Sequence, residues 1–483
     1  MKLKDLMVGL DYQCIAGNVE LDIDTIIYDS RIKTKRGLFI AIEGFKTDGH
    51  HYIKAAIENG AKALLVQQDH IPIEEGITLI KVEDTRKAMA SVANNAFHHP
   101  SSKLQVVGVT GTNGKTSITY LLGQLIEAYG QKIGIIGTIE NRIGNTVLKA
   151  ERTTPESLDL QGLLSKMVEE KVNDALLEVS SHALELSRVA GVDFNIGIFT
   201  NLTQDHLDFH GTMENYASAK GKLFSLCQTG IVNVDSPYVE KITEGATCEI
   251  ITYGIEKEAT YRASDIAITA EGVAYTLTCP EGVFEVKVPI PGQFTVYNTL
   301  AVIGAARVLK LPMPHIIETL AQVKGVPGRV QSFTSNKGYS VLVDYAHTPD
   351  GLENVLKTIK EFATKEIITV FGCGGDRDKT KRPLMGEIAA RYSSQVIITS
   401  DNPRTEDPLS ILDQVEEGVK KHKVPYMKLV DRKVAILEAL QKAQSGDVIL
   451  IAGKGHENYQ ILKDRIIHFD DSEIVKVYMQ EEE

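Results

Sequence analysis

The chain is poor in cysteine, in positive charge and in long apolar runs, and each shortage narrows what it does. Its five cysteines, Cys14, Cys227, Cys248, Cys279 and Cys373, are odd in number, scattered and never spaced as CxxC. That pattern speaks against a disulfide framework and a structural zinc site, and it suits a reducing cytosol. No stretch approaches the roughly eighteen apolar residues that a membrane helix needs. The opening MKLKDLMVGLDYQCIAGN lacks the apolar core and small-residue cleavage site of a signal peptide. A cytoplasmic location without membrane insertion is expected. Lysine and arginine (52) are outnumbered by aspartate and glutamate (64), for a net charge of −12. Nucleic acids and anionic membranes reward the opposite sign, so neither is an expected partner. A local basic pocket for an anionic small molecule remains compatible with this balance.

What is present is a globular composition, 43% apolar and 24% charged over 483 residues, enough for about three domains at roughly 150 residues each. Three blocks can be read. Residues 1–103 mix strand-like runs (38–42, 63–66, 78–82) with helical stretches (52–59, 85–97), and His98-His99-Pro100-Ser101-Ser102 then breaks the pattern. Residues 104–325 open with a buried-strand run at 104–110 and a helical segment at 116–129. Apolar runs (132–137, 174–179, 196–200) then bracket a helical stretch at 158–169, as in a parallel, doubly wound sheet. Short antiparallel strands are expected between about 249 and 290. Residues 326–483, after Lys324-Gly325-Val326-Pro327-Gly328, hold a second α/β series with strands expected at 340–344, 367–371, 395–399 and 447–452. Each of these runs ends in a polar tip (DYAHTP, GCGGDRD, SDNPR, GKGHE), and ligands of open α/β sheets bind outside the carboxyl ends of the strands. No fixed-period repeat and no low-complexity segment is present.

The strongest local signal is Gly108-Val109-Thr110-Gly111-Thr112-Asn113-Gly114-Lys115-Thr116-Ser117. Glycines let successive backbone N–H groups and the following helix N-terminus face phosphate oxygens. Lys115 is expected to reach the β- and γ-phosphates of a nucleotide, and the Thr116 hydroxyl to ligate Mg²⁺. The pattern departs from GxxxxGK[ST] in having valine at 109. The plain alternative is a strand-to-helix turn capped by Thr or Asn.

TGTNGKTS resembles the ATP loop of the Mur ligases and their folylpolyglutamate synthetase relatives. Further motifs match in order: DSR at 29–31, TT at 153–154, EVSSHAL at 178–184, FTNLTQDHLDFHG at 199–211 and YASAKGKLF at 216–224. They continue with GQFTVYNTLAV at 292–302, GVPGRV at 325–330, VDYAHTPDGL at 343–352, GCGGDRDKTKRPLMG at 372–386, DNPR at 401–404 and AGKGHE at 452–457. The resemblance spans essentially the whole chain. Within the family it is nearest the members that add the third residue of the peptidoglycan stem, and DNPR points to those that add meso-diaminopimelate.

The resemblance implies an α/β fold of three domains: a smaller N-terminal α/β domain (1–103) for the UDP substrate, a central P-loop domain with a doubly wound, mainly parallel sheet (104–325) for ATP, and a Rossmann-like C-terminal α/β domain (326–483) for the amino acid. The implied reaction joins a carboxylate to an amine. ATP first converts the carboxylate to an acyl phosphate, the amine attacks, and phosphate leaves, in cytoplasmic peptidoglycan precursor synthesis. Such phosphoryl transfer needs alignment and charge neutralisation more than covalent help. By resemblance Lys115, Glu178, His206 and Lys220 are the catalytic set, and Gly111, Thr112, Asn113, Gly114, Lys115, Thr116 and Ser117 hold ATP. Asn298 is implied at the adenine, and Arg329 and Asp344 at the nucleotide from the C-terminal block, with His347 on the same side. Magnesium is implied on Thr116, Glu178, His206 and Lys220. The lysine matching Lys220 is carbamylated by CO₂ in the family, which turns a cation into an anion. That chemistry needs a neutral amine, hence a partly desolvated lysine. Read locally, Lys220 is one lysine on a helix face beside Lys222, and only the YxxAK spacing singles it out.

For the UDP-MurNAc-L-Ala-D-Glu substrate, Ser30 and the loop 44–47 match uridine-binding positions, and Thr153, Thr154, Ser180 and Arg188 match those for the muramoyl dipeptide. Arg152 stands where some relatives have asparagine, and Leu186 where some have glutamine. Arg377, Asp401, Asn402, Pro403, Arg404, Gly453 and Glu457 are the expected meso-diaminopimelate pocket. An arginine fork suits the distal carboxylate and a carboxylate suits the ammonium. The alternatives are an L-lysine-adding ligase, a folylpolyglutamate synthetase-like ligase, and a nucleotide-dependent switch without ligase chemistry. A lysine substrate would leave a buried arginine unpaired. A monomer is expected.

Overall fold

The computed structural model describes residues 1–44, 47–72, 75–326, 328 and 330–481. The chain is α/β throughout and divides into two compact units, residues 1–119 with 126–252, and residues 120–125 with 253–483.

The first unit carries two sheets. Five strands, β1 (Gln13–Ala16), β2 (Thr25–Ile27), β3 (Gly37–Ile40), β4 (Ala61–Val66) and β5 (Thr78–Lys81), pair in the order β1-β5-β4-β3-β2. β1 is antiparallel to β5 and the other pairs are parallel. The second sheet is built on β6 (Gln105–Thr110), β7 (Ile133–Ile136), β8 (Glu140–Ile143), β9 (Thr146–Lys149), β10 (Asp174–Glu178), β11 (Phe194–Phe199) and β12 (Cys227–Asn233), in the order β12-β11-β6-β10-β7-β8-β9. The pairs from β12 to β7 are parallel. β6 reads as an unbroken apolar run because helices cover both faces of a parallel sheet, and Val106, Val107 and Val109 are wholly buried. The β8–β9 hairpin, antiparallel to β7, was not expected from the sequence. Its strands are four residues long and partly exposed, so no apolar run marks them.

β6 lies between β10 and β11, which places a crevice at the carboxyl end of the central strand. The register sets Glu178 of β10 opposite Val109 and Phe199 of β11 opposite Thr110, so three chain segments reach that edge at one level.

β13 (Glu249–Gly254) leads into the second unit. There β14 (Tyr261–Thr269), β15 (Gly272–Cys279) and β16 (Gly282–Val288) form the expected antiparallel meander. The C-terminal sheet contains β17 (Gln331–Thr334), β18 (Ser340–Asp344), β19 (Ile367–Phe371), β20 (Gln395–Thr399), β21 (Tyr426–Leu429) and β22 (Val448–Ala452), in the order β17-β18-β22-β19-β20-β21. Only β17 is antiparallel. The four strands read from the sequence are its buried centre. A small hairpin, β23 (Tyr459–Ile461) and β24 (Ile466–His468), follows the last of them. Among the described residues no helix is long and apolar enough to cross a membrane.

Candidate active site

In the first unit the turn after β6 is shaped by its glycines. Gly111 has φ +146°, and a Cβ there would stand 1.8 Å from Thr200 Oγ1, so only glycine fits. Gly114 also takes a positive φ, +89°, immediately before the helix Lys115–Ala128. The turn is tied down from β11: Thr112 N donates to the Asn201 carbonyl (2.9 Å), Asn113 N to Asn201 Oδ1 (3.0 Å), and Thr200 Oγ1 to the Asn113 carbonyl (2.6 Å). Lys115 folds back over the loop, its Nζ donating to the carbonyls of Gly111 (3.0 Å) and Thr112 (2.9 Å). Thr116 is buried and Ser117 half-buried on the first turn of the helix.

Lys220, on the helix Met213–Gly221, enters the same loop from the other side. Its Nζ donates to the Gly111 carbonyl at 2.9 Å and lies 4.5 Å above the Tyr216 ring. The side chain is almost completely buried. Burial first, and Lys115 second, hold its pKa well below the ordinary lysine value, with Asp205 acting in the opposite direction. The Tyr216 hydroxyl and Thr112 Oγ1 share a hydrogen bond of 3.3 Å, which ties the lysine-bearing helix to the loop.

Glu178 is buried at the end of β10. Thr138 donates to both of its oxygens, through N (3.0 Å) and Oγ1 (2.9 Å). His206 follows β11 with a left-handed backbone (φ 51°) and an imidazole about half exposed, 4.9 Å from the His182 ring. Behind it His210 stacks on Tyr216 at 4.9 Å and shares a hydrogen bond with Ser181 Oγ. Burial, then His182 and Lys220, push the His210 pKa down to about 4, so this ring is neutral at pH 7. Among the described residues no three His, Cys, Asp or Glu side chains converge as a preformed metal cluster. The buried carboxylate of Glu178 and the hydroxyl of Thr116 are hard oxygen donors of the kind that magnesium takes, so the donor set fits that ion.

Thr154 connects this edge to the dipeptide positions. Its Oγ1 donates to the Glu178 carbonyl (2.8 Å) and accepts from Ser180 N (3.0 Å), and its own carbonyl accepts from Arg188 Nη1 (3.2 Å). Thr153 shares a 3.0 Å hydrogen bond with Thr138, the residue that holds Glu178. Ser30 is half-buried in a turn whose carbonyl accepts from Asn59 Nδ2 (2.8 Å). Phe45 and Lys46 of the loop 44–47 lie outside the described residues, as does Arg329.

In the second unit Asn298 is buried on the helix Gln293–Val308. Asp344 ends β18 with its two oxygens accepting from Val330 N and Ala346 N, both at 2.8 Å. His347 is exposed in the next loop, its Nδ1 2.9 Å from the Tyr345 carbonyl. At the carboxyl ends of β20 and β22, Asp401, Asn402, Arg404, Gly453 and Glu457 come together. Gly453 has φ +117°, and a Cβ there would stand 2.8 Å from Asp401 Oδ2. Asn402 Nδ2 donates to Glu457 Oε2 (2.9 Å), and Arg404 Nη1 donates to the Gly375 carbonyl (2.8 Å) from a left-handed backbone. Pro403 is buried between them. Arg377 is exposed, with Nη1 bonded to its neighbour's carbonyl (3.1 Å).

Two structural partners escaped the sequence reading. Lys454, inside AGKGHE, is fully buried and pairs with Glu457 at 3.0 Å, so Glu457 is held between a cation and an amide. Thr138, at the end of β7, carries no motif, and its role emerges only from the register beside β10.

Three family models match the chain: "Mur ligase family, catalytic domain" over residues 22–97, "Mur ligase middle domain" over 109–306, and "Mur ligase, glutamate ligase domain" over 328–455. A UDP-N-acetylmuramoyl-L-alanyl-D-glutamate–2,6-diaminopimelate ligase of Clostridioides difficile is 50% identical over 478 residues, covering 98% of each chain. The protein of the same name from Caldanaerobacter subterraneus is 47% identical over 484 residues, covering both chains completely. A solved structure of a ligase so named superposes with a TM-score of 0.76 at 32% identity, covering 100% of this chain and 99% of that one. With relatives this similar along its whole length, the chain belongs to the Mur ligase family.

Proposed function

We propose that this protein is the ATP-dependent, ADP-forming ligase that joins meso-2,6-diaminopimelate to the D-glutamate of UDP-N-acetylmuramoyl-L-alanyl-D-glutamate. The reading assigns residues 1–103 to the UDP substrate, 104–325 to ATP and 326–483 to the amino acid. It is supported by full-length relatives that bear this name. The observation that carries the choice of amino acid is that Arg404 donates to the Gly375 and Asn402 carbonyls at the sheet edge where Asn402 donates to Glu457. A guanidinium in one cluster with the carboxylates of Asp401 and Glu457 suits an amino acid with a zwitterion at each end.

In the proposed cycle the loop from Gly111 to Ser117 cradles the nucleotide phosphates, and Lys115 swings from its backbone carbonyls onto the β- and γ-phosphates. Thr116 and Glu178, with His206 and modified Lys220 at a second position, would hold magnesium, which would supply charge neutralisation at the transferring phosphoryl group. Thr153, Thr154, Ser180 and Arg188 hold the muramoyl dipeptide, whose reacting D-glutamyl carboxylate attacks the γ-phosphorus and releases ADP. The diaminopimelate amine then attacks the acyl carbon, the amide bond forms, and phosphate leaves with the acyl–oxygen bond. Asn298, Asp344 and Arg329 contact the nucleotide. The neutral Lys220 amine attacks CO₂, forms an N–C bond and sheds a proton, which gives the carbamate. The active species is a cytoplasmic monomer.

The test is an ADP-release assay with UDP-MurNAc-L-Ala-D-Glu against meso-diaminopimelate, L-lysine and L-glutamate, with products identified by mass spectrometry. A tripeptide product with diaminopimelate alone is expected. Preferential use of L-lysine would overturn the assignment.

A further inference from the structure

Glu156 is a buried carboxylate that gathers three arginines. It immediately precedes the helix Ser157–Glu169 without capping it through its side chain, which is only 7% exposed. Arg188 Nη2 meets its Oε1 at 2.9 Å, Arg86 Nη1 meets its Oε2 at 3.4 Å, and Arg152 bonds Oε1 from four residues upstream. Glu156 and the neighbouring Asp159 balance two of the three cations, so one positive charge is left over in a half-enclosed place. The neighbouring carboxyl, Asp159, is engaged by the Tyr28 hydroxyl. Arg86 and Arg188 are mostly buried while Arg152 opens to solvent, and an excess of positive charge held partly away from water is costly unless an anion joins it. Arg188 shows the deficit directly: its Nη groups are used, yet its Nε is buried and has no hydrogen-bond partner. Burial chiefly lowers the pKa of this guanidinium, with Glu156 opposing and Arg152 and Arg86 adding, a penalty that a bound anion would relieve.

We propose that Arg86 and Arg152 complete, with Arg188, an anion subsite braced by Glu156, and that it receives the non-reacting carboxylate of the substrate's terminal D-glutamyl residue. This rests on the ligase reading above and extends it to two residues that the family motifs leave unassigned. Thr154 supplies the reason for a carboxylate rather than a phosphate. Its carbonyl accepts from Arg188 while its hydroxyl donates to the Glu178 carbonyl, and Glu178 ends level with the phosphate loop. The subsite therefore lies beside the place where an acyl group must meet the γ-phosphate. The two carboxylates of one glutamyl residue are separated by a few bonds, whereas the diphosphate is at the other end of the substrate. Clamping one carboxylate leaves the other free, which decides which of the two is activated. Arg86 projects from the first turn of the helix Thr85–Ala96, so a side chain of the N-terminal sheet region takes part in the choice.

The experiment compares the wild-type enzyme with Arg86→Gln and Arg152→Gln, using UDP-MurNAc-L-Ala-D-Glu and its analogue with a carboxamide in place of the non-reacting carboxylate. Arg152 is 54% exposed, so its variant tests the subsite without disturbing packing. Each variant is expected to raise KM for the true substrate about tenfold, the weight of one charged hydrogen bond, with KM for ATP unchanged. Wild type should discriminate against the carboxamide by a similar factor, and the variants should lose that discrimination. Unchanged KM in both variants, or undiminished discrimination, overturns the proposal. An equal loss of affinity for UDP alone, titrated calorimetrically, assigns the arginines to the diphosphate and also overturns it. Failure of the wild-type enzyme to ligate the true substrate would instead defeat the ligase reading.

Discussion

The ammonium groups of Lys115 and Lys220 donate to the same atom, the carbonyl oxygen of Gly111, at 3.0 and 2.9 Å. Two like charges on one acceptor repel, and the nearly complete burial of Lys220, with Lys115 beside it, holds its pKa well below the ordinary lysine value. The first lysine is suited to phosphate and the second to chemistry that needs a free amine.

Lys115→Ala is expected to leave the fold intact, because Nζ is bonded to the loop carbonyls of Gly111 and Thr112 rather than packed in the core. Turnover should fall about 10²–10³-fold, as for loss of one preorganised transition-state donor. Circular dichroism and ADP release measured on the same preparation check this. Near-normal turnover would remove the loop from the ATP site.

Lys220→Ala should be inactive and partly rescued by a short-chain carboxylic acid that fills the vacated anionic position. Wild-type activity should fall in buffers stripped of CO₂ and return on adding bicarbonate. Full activity of the alanine variant would make Lys220 an ordinary helix residue.

The depressed pKa of Lys220 also has a consequence for stability. Between its folded pKa and the ordinary value of 10.5, the unfolded chain binds the proton that the folded chain lacks. Stability contributed by this group therefore rises with pH across that window and levels off above 10.5. Lys220→Met should abolish the slope and raise the melting temperature near pH 8 in CO₂-free buffer. Melting curves from pH 7 to 10 read both effects, and an unchanged slope would refute the cause.

Arg404→Ala should raise KM for meso-diaminopimelate by the equivalent of about 2–5 kcal/mol, the cost of stranding a buried charged partner. Arg404→Lys keeps the charge but loses the planar fork and should be intermediate. Selectivity against L-lysine should shrink in both, while KM for ATP stays constant. An unchanged KM for diaminopimelate in the alanine variant would dismiss Arg404 as its anchor.

Glu406 holds the loops on either side of Arg404. The fully buried Arg382 donates to both of its oxygens at 2.9 and 3.0 Å, and Asp376 N donates at 2.6 Å. The Arg382 bonds first, and the Asp376 amide second, bring the Glu406 pKa down to about 2. A depressed carboxylate contributes stability above its ordinary 4.5 and loses it as pH falls toward 2. Glu406→Gln should remove that acid-side dependence and cost about 3 kcal/mol, since Arg382 is left buried without its counter-charge. Urea unfolding at pH 3, 5 and 7 measures both.

Much of the architecture is legible in the sequence because a strand buried on both faces must be apolar throughout. β6, β10, β18, β19, β20 and β22 are such runs, and the phosphate loop, EVSSHAL, VDYAHTPDGL, GCGGDRD, DNPR and AGKGHE stand where they stop. The loop from Gly111 to Ser117 is equally legible, since its glycines answer a local backbone demand. By contrast, β8, β9, β23 and β24 are short and partly exposed, so neither periodicity nor composition marks them. Burial of a charge is decided by residues distant in sequence. Lys220 reads as one lysine on a polar helix until Gly111, 109 residues away, receives its hydrogen bond. Glu156 reads as the start of a helix until Arg86, 70 residues before it, arrives beside Arg188. Backbone preference and hydropathy act over a few residues and so are written locally. The electrostatic setting of a side chain is a sum over neighbours that only the tertiary fold assembles.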